Sequence, residues 1–229
     1  MKHIAVGLTS GNHQVHWVTL ISLFQLVSER DMRQYRFTPL PESGMYIEVN
    51  RNNIASAFLD DTDADYLWFL DFDNGFFPDM LDFFMEDMAR DDIDIVSGLY
   101  MQKSSIERWN AGIRPPHMSM GWEMLTRDSH LFPNEPVCLT TEYGSTSGLV
   151  PTGLLMVKRH VFETVPFPWF STITHAHGFL GEDCFFMEEA QRAGFKVWID
   201  PRIRSPHMNN DTCWPPEWKN YKCATPKEF

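Results

Sequence analysis

The stretch YLWFLDFDNGFFPDML, at Tyr66–Leu81, joins an apolar run to a pair of acidic residues. The run Tyr66–Leu70 consists of large apolar side chains, which is typical of a strand buried on both faces of a parallel sheet. Asp71 and Asp73 follow it directly, one residue apart. Two carboxylates placed so close repel each other unless a cation lies between them. The stretch therefore predicts a buried strand that delivers two carboxylates to a positively charged ligand.

Acids after a strand also have a purely structural explanation, because they commonly cap the next helix or solvate a turn. An isolated D-x-D is a weak motif for that reason. Its position favours a functional interpretation, since ligands of open α/β sheets bind beyond the carboxyl ends of the strands. Oxygen ligands of this kind suit Mg²⁺ or Mn²⁺, which keep coordination positions open for substrate phosphates.

Alternating strand and helix patterns around this stretch predict an α/β fold with a mostly parallel sheet flanked by helices. In the first half we predict strands at 3–9, 36–39, 46–49, 66–70 and 93–96, and helices at 15–30, 50–59 and 78–90. In the second half we predict a strand at 154–158 that runs into a short helix, a helix at 182–194 and a strand at 196–200. Positions 101–150 show no periodicity and are interpreted as an irregular insertion of loops and short hairpins.

Composition bears on which ligands the protein binds and in which compartment it works. The formal net charge of −12 argues against binding to nucleic acid or an anionic membrane through a broad basic surface. The four cysteines lie far apart, which favours reduced thiols in a cytoplasmic protein, with a Cys213–Cys223 bridge as the alternative. The apolar segment 15–27 is short and has a polar residue at every third position, so we predict a buried helix and no stable membrane insertion.

Two more acids and a histidine stand later in the chain. Glu182 and Asp183, in GEDCFF, begin a predicted helix, where the helix dipole favours carboxylates even without a function. His207, in RSPHM, lies in a loop after the last predicted strand, and a single histidine in a loop is ordinarily surface. Neither the acidic pair nor the histidine indicates a site by itself. The functional interpretation depends on the order in which they follow the D-x-D.

In order and spacing, these pieces resemble the GT-A glycosyltransferases of the family-2 type, nucleotide-sugar-dependent enzymes with a D-x-D motif after a central strand. The matching segments are AVGLTSG, RNNIA, ADYLWFLDFDNGF, GLVPTGLLMVKRHVFE and GFLGEDCFFMEEAQRAGFKVWID, followed by His207. The resemblance covers residues 1–100 and 145–208, and 101–143 matches no pattern. It implies a single GT-A-like, Rossmann-like domain over 1–229, with a nucleotide-binding half at 1–100, an acceptor half at 101–208 and a tail at 209–229.

The resemblance implies metal-dependent glycosyl transfer. Asp73 would ligate Mn²⁺ or Mg²⁺ directly, Asp71 would do so less directly or contact the ribose, and His207 would complete the protein's share of the shell. Such a cation stabilises the charge of a departing diphosphate. In an inverting reaction, which we favour, Asp183 would take the proton from the acceptor hydroxyl while Glu182 holds substrate. In a retaining reaction Asp183 would only bind substrate.

The resemblance also implies a nucleoside-diphosphate sugar as donor, with a UDP-sugar as the first expectation. Thr9, Ser10 and Arg51 would contact the nucleotide. Thr152 and Gly153 would form a turn of small residues that lets the sugar approach the backbone. The acceptor stays open among a glycan, a lipid-linked sugar, a protein side chain and a hydroxylated nucleobase.

Two other functions compete with this one. A nucleotidyltransferase shares the α/β sheet and acidic metal ligands, but its Gly-rich basic loop would follow the first strand, where LTSGNHQ has no Lys or Arg. A catalytically silent nucleotide- or glycan-binding domain would keep the fold, and the presence of Asp71, Asp73, Asp183 and His207 argues against it.

The remaining candidates are paired histidines and single tryptophans. His13-x-x-His16 and His175-x-His177 have spacings that suit zinc, but no Cys or His partners accompany them, so ordinary loop histidines are expected. Core packing is expected before sugar stacking for Trp109, Trp122 and Trp169.

Overall fold

A computed structural model describes residues 1–11, 13–102, 108–114, 123–126, 134–140, 147–175, 178–209 and 212–214. The described strands of its central sheet are, in spatial order, β2 (Tyr35–Ser43), β1 (Lys2–Ser10), β3 (Tyr66–Asp71), β9 (Leu154–Lys158), β4 (Ile95–Tyr100), β12 (Val197–Ser205) and β7 (Val137–Cys138). β9 and β7 run opposite to the other strands of this group. The sheet is therefore mostly parallel, which confirms the predicted fold class.

Helices cover both faces of this sheet and create two core clusters. The helices are α1 (Trp17–Glu29), α2 (Ile47–Asp61), α3 (Met80–Met88), α4 (Arg159–Thr164) and α5 (Glu182–Arg192). One cluster lies under α1 and α3, and the other lies under α2, α4 and α5. Along β3, Trp68 and Leu70 enter the first cluster, whereas Leu67 and Phe69 enter the second, and all four are 0% exposed. The apolar run is thus a strand buried on both faces, as its composition predicts.

The segment predicted as an irregular insertion contributes short antiparallel strands. β5 (Arg108–Arg114) lies between β6 (Glu123–Thr126) and β8 (Ser147–Leu149) in a small sheet. Two hairpins follow later in the chain, β10 (Ile173–His175) with β11 (Gly178–Leu180), and β13 (His207–Asn209) with β14 (Thr212–Trp214). A 3-10 turn at Met32–Gln34 precedes β2.

Tryptophans 109 and 169 are core residues. Trp109 is buried, and Trp169 is buried with its indole N–H donating to the carbonyls of Phe162 and Val165. Trp122 lies outside the described residues.

The strand predicted at 46–49 is wrong, because α2 begins at Ile47. β2 runs to Ser43 and pairs with β1 along its whole length, and Gly44 N–H donates to the Ser10 carbonyl at the end of this pairing. The buried residues of α2 instead follow helical spacing: Asn50, Arg51, Ile54, Ala55 and Phe58. The 3.6-residue period prevails over the strand propensity of YIEV.

The prediction that the 15–30 helix is buried holds for one side only. Val18, Thr19, Ser22 and Leu26 face the protein, whereas the opposite side of α1 is exposed. Within the described ranges, no helix has the length and apolarity that crossing a membrane requires.

Candidate active site

The D-x-D forms a turn after β3, here called the acidic turn and defined as Asp71–Gly75. The segment that follows β12 pairs with it through the backbone. Met208 N–H donates to the Asp73 carbonyl at 2.8 Å, and Gly75 N–H donates to the Pro206 carbonyl at 2.9 Å. Asn74 forms an isolated antiparallel bridge with His207. Residues more than 100 positions apart in the sequence are therefore held side by side.

Helix α1 supports the acidic turn from the other side with its buried polar residues. The Thr19 hydroxyl lies 2.9 Å from the Phe72 carbonyl and 2.8 Å from the Asn74 carbonyl. The Ser22 hydroxyl accepts a hydrogen bond of 2.9 Å from Phe76 N–H. These contacts satisfy turn carbonyls and an amide that burial would otherwise leave without partners. Two of the polar residues that interrupt the apolar segment 15–27, Thr19 and Ser22, thus hold the turn.

Asp73 and His207 face each other across this backbone pairing. The Nε2 atom of His207 lies 3.7 Å from Asp73 Oδ1. The other ring nitrogen, Nδ1, lies 2.8 Å from the Met101 carbonyl, which can only accept, so Nδ1 carries the hydrogen. The ring also packs edge-on against Tyr100, with centroids 4.8 Å apart. In a neutral ring, Nε2 then presents its lone pair toward the carboxylate, and a shared proton or metal ion satisfies both.

Asp71 has different surroundings from Asp73. The Thr9 hydroxyl donates to its Oδ1, and Arg51 Nη2 lies 3.2 Å from its Oδ2. Arg51 comes from α2, its side chain is only 5% exposed, and its Nη1 pairs with Glu182 at the start of α5. A buried cation needs such partners, because an unpaired charge in the interior is very costly. Arg51 therefore ties the end of β3 to the start of α5.

The charges of this cluster act on one another. Burial raises the pKa of the Glu182 carboxyl, and the Arg51 guanidinium opposes that shift. For Arg51 itself burial favours a lower pKa, but the charges of Asp71, Glu182 and Asp183 outweigh it and raise the pKa. Asp183 thus lies close enough to belong to the same electrostatic cluster.

The two acids that open α5 differ in their contacts. Glu182 is paired with Arg51, whereas Asp183 forms no ion pair with any residue that the structure describes. Asp183 Oδ1 accepts a hydrogen bond of 2.8 Å from the N–H of Cys184, in the first turn of the helix. Burial raises the pKa of the Cys184 thiol, so that thiol stays protonated at neutral pH.

Gly153 lies directly against the acidic turn. Its carbonyl accepts from Asp71 N–H and from the Asn74 side-chain amide, each at 3.0 Å. A Cβ at this position would lie 2.5 Å from Asp71 Oδ2, 2.7 Å from the Tyr100 hydroxyl and 2.8 Å from Asn74 Nδ2. The protein's own polar side chains therefore require a glycine at this position.

Besides Arg51 Nε, two buried polar atoms next to this cluster have no hydrogen-bond partner among the described residues. They are the Thr152 hydroxyl and the Asn74 side-chain carbonyl, in residues that are 1% and 0% exposed. Buried polar atoms are normally hydrogen-bonded, so both are available to a bound water or ligand.

Ser10 closes the turn after β1, since its hydroxyl lies 3.1 Å from the Gln14 amide nitrogen and 2.9 Å from the Gln14 carbonyl oxygen.

The two histidines of the His13-x-x-His16 pair contact different elements. His16 caps α1, with Nδ1 accepting from Val18 N–H at 3.2 Å, and His13 lies 2.5 Å from the Ser43 hydroxyl. The side chain of His175, His177, and the 213 and 223 thiols lie outside the described residues. In the described part of the chain, no three His, Cys, Asp or Glu side chains converge into a metal cluster.

Sequence reasoning missed Asn74, Tyr100 and Thr19. Asn74 follows the D-x-D directly, and Tyr100 ends β4 at the same edge of the sheet, so their positions were the available signal. The predicted residues that the structure brings together are Thr9, Arg51, Asp71, Gly153 and Glu182 in one group, and Asp73 with His207 in a neighbouring pair.

The mostly parallel sheet flanked by helices gives the chain a GT-A-like α/β fold. No protein-family model matches the sequence, and no curated protein matches it either. Among solved structures the chain is similar to A197 from STIV, at 18% identity and a TM-score of 0.60, over 95% of this chain and 91% of that one. It is also similar to GalNAc-T7 with UDP, GalNAc and Mn²⁺, at 12% identity and a TM-score of 0.56, over 91% of this chain but 44% of that one. At these identities the likeness shows the fold alone.

Proposed function

We propose that the protein transfers a sugar from a nucleoside-diphosphate sugar to an acceptor hydroxyl, in a reaction that depends on a divalent cation. The observation that carries this proposal is the backbone pairing that sets Asp73 beside the Nε2 of His207, 3.7 Å apart, at the end of the central strand. The fold-level likeness to GalNAc-T7, which was solved with UDP, GalNAc and Mn²⁺, supports the same reaction class.

The residues present fit a divalent cation. Asp73 offers a carboxylate that is about one-third exposed, and His207 offers a ring nitrogen whose tautomer is set by the Met101 carbonyl. A histidine that ligates a metal usually donates its other N–H to such a carbonyl. When bound there, Mn²⁺ or Mg²⁺ acts as a Lewis acid that stabilises the negative charge of the departing diphosphate. Two protein ligands leave positions open for phosphate oxygens.

Asp71 and Arg51 position this site in the proposal. Arg51 offsets the charge of Asp71, and Thr9 fixes its second oxygen, so Asp71 has a single orientation beside the acidic turn. Asp71 then contacts the donor or supports the metal ligand, and direct ligation is left to Asp73. Nucleotide contacts by Thr9, Ser10, Arg51 and Thr152 remain part of the proposal.

Asp183 is the proposed base of an inverting transfer. Its neighbour Glu182 is paired with Arg51 and cannot accept a proton without breaking that pair, whereas Asp183 has no such ion pair in the described chain. A carboxylate in this position can take the acceptor proton as the new bond forms. Glu182 then holds the start of α5 in place through Arg51.

The two halves of the chain have different roles in the proposal. Residues 1–100 would bind the nucleotide, and residues 101–208 would supply the acceptor side together with Asp183 and His207. The donor is proposed to be a UDP-sugar, and the acceptor is a glycan, a lipid-linked sugar, a protein or a hydroxylated nucleobase.

A donor panel tests the reaction. The protein is incubated with UDP-, GDP- and CMP-sugars and Mn²⁺, and released nucleotide is measured with and without chelator. We expect chelation and Asp73→Ala each to abolish release. Asp60→Ala, at an exposed acid near the end of α2, is the matched control and should leave release unchanged.

Release that survives both chelation and Asp73→Ala would contradict the metal proposal. Pyrophosphate release from nucleoside triphosphates, with no nucleotide release from sugar donors, would point to nucleotidyl transfer instead.

A further inference from the structure

Helix α1 exposes a continuous apolar stripe. Its outward side chains include Trp17 (50% exposed), Leu20 (47%), Phe24 (67%) and Val27 (58%), with Ile21 beside them. The opposite side of the helix is buried and holds the acidic turn. The helix is therefore amphipathic in an unusual sense. Its hydroxyl side chains face inward, where they bind the acidic turn, and many of its apolar side chains face outward. Exposed apolar faces of this kind mark interaction sites.

The spacing of the stripe fits another helix. Trp17, Leu20, Phe24 and Val27 follow steps of three and four residues, the a and d positions of a helix-pairing seam. The helix has 13 residues, so the seam is about 20 Å long at a rise of 1.5 Å per residue. Side chains of this size at about half exposure present roughly 500 Å² of apolar surface per copy. Two such faces bury about 1,000 Å², the lower limit for a specific interface.

The lack of charged residues along most of α1 allows a second copy of the chain to be the occupant. The protein has a net charge of −12, so two copies repel each other over most of their surfaces. In α1 the only charged residue is Glu29, at its last position, so two copies can approach along this face with few opposing acids. An anionic bilayer would need basic residues around the stripe, and the helix carries none.

From these observations we infer that the protein forms a symmetric dimer in which the exposed face of α1 packs against the same face of α1 in a second copy. A two-fold contact of this type uses one patch twice, which suits a self-complementary apolar seam. The inference is independent of the proposed reaction, since it concerns the side of α1 that faces away from the acidic turn.

The test is the mass of the full chain in solution. Sedimentation equilibrium over a wide concentration range should show twice the 26.7 kDa of one chain. Phe24→Glu places a charge at the centre of the seam and should weaken the dimer by at least about 100-fold, since an unpaired buried charge is strongly unfavourable. Phe167→Glu is the matched control, because Phe167 is also 67% exposed and lies outside α1.

Circular dichroism checks that both variants fold. Hydrogen exchange on the unaltered protein gives a second measurement, in which protection of residues 17–29 should rise with protein concentration. A wild-type chain that stays monomeric at all concentrations overturns the inference, as does a Phe24→Glu dimer as tight as wild type. A monomer that floats with uncharged phosphatidylcholine vesicles, and loses this binding in Phe24→Glu, overturns it in favour of a lipid surface.

Discussion

Replacing Arg51 by Met tests how the candidate site is held together. Arg51 is the buried cation between Asp71 and Glu182, and its side chain is 5% exposed. Met keeps most of the apolar volume and removes the charge, so two carboxylates lose their partner. Removing one side of a buried ion pair costs about 3–5 kcal/mol, because the remaining charge stays in the interior. For a domain of this size we expect the Tm to fall by about 10 °C.

The pH dependence of this loss has a definite sign. Burial already raises the pKa of Glu182, and Arg51 opposes that shift, so its removal raises the pKa further. The folded variant then binds a proton that the unfolded chain releases, and its stability falls as the pH rises above the ordinary Glu range. Arg51→Met should therefore lose more stability at about pH 8 than at about pH 5.5.

Urea unfolding followed by circular dichroism measures both effects. Arg51→Met/Glu182→Gln removes one of the two unpaired carboxylates and should recover about 1–2 kcal/mol. Arg159→Met is the control, because Arg159 is a partly buried arginine, 26% exposed, that donates to the carbonyls of Phe58, Leu59, Thr62 and Ala64, and its ion-pair partner Glu163 is 53% exposed. It should destabilise the protein without the added loss at high pH. An equal loss for Arg51→Met at both pH values, with no recovery in the double variant, would refute the reasoning.

Three further predictions concern other parts of the molecule. Gly153→Ala forces a methyl group against Asp71, Tyr100 and Asn74 and should cost about 2–3 kcal/mol in urea unfolding, whereas Gly11→Ala, with open space around it, should change little. Thr19→Val removes the hydroxyl at two acidic-turn carbonyls and should lower stability by about 1–3 kcal/mol, with weaker Mn²⁺ binding in calorimetry; unchanged binding would separate α1 from the site. Burial raises the pKa of Asp87 to about 8, so stability should fall between about pH 4 and pH 8, and Asp87→Asn should flatten that profile.

Local patterns were sufficient to predict most of the fold. The apolar run before Asp71 predicts a strand buried on both faces, and it is one. The helices at 50–59 and 78–90 and the strand at 154–158 were found within a few residues. What local patterns could not give is strand order, because the antiparallel insertion of β9 between β3 and β4 depends on tertiary packing. The segment YIEV was misassigned because β2 already completes the pairing along β1.

Local sequence predicted many of the residues of the candidate site, but only some of the contacts between them. The order of the motifs in the chain predicted the D-x-D, the acids of α5 and His207 as candidates. The pairing of Arg51 with both Asp71 and Glu182 was not, because three separate elements must fold together to create it. The need for glycine at position 153 was also not predictable from local sequence, because Asp71, Asn74 and Tyr100, which surround it, come from other elements.

In the proposed site, Asp73 and His207 share one divalent cation. Electron spin-echo spectroscopy of Mn²⁺ bound to the protein with UDP detects a coordinated imidazole through its ¹⁴N modulation. We expect this modulation in the wild-type protein and in His160→Gln, which changes an exposed histidine, and its loss in His207→Gln. Tight Mn²⁺ binding without ¹⁴N modulation, or modulation that persists in His207→Gln, would contradict the claim.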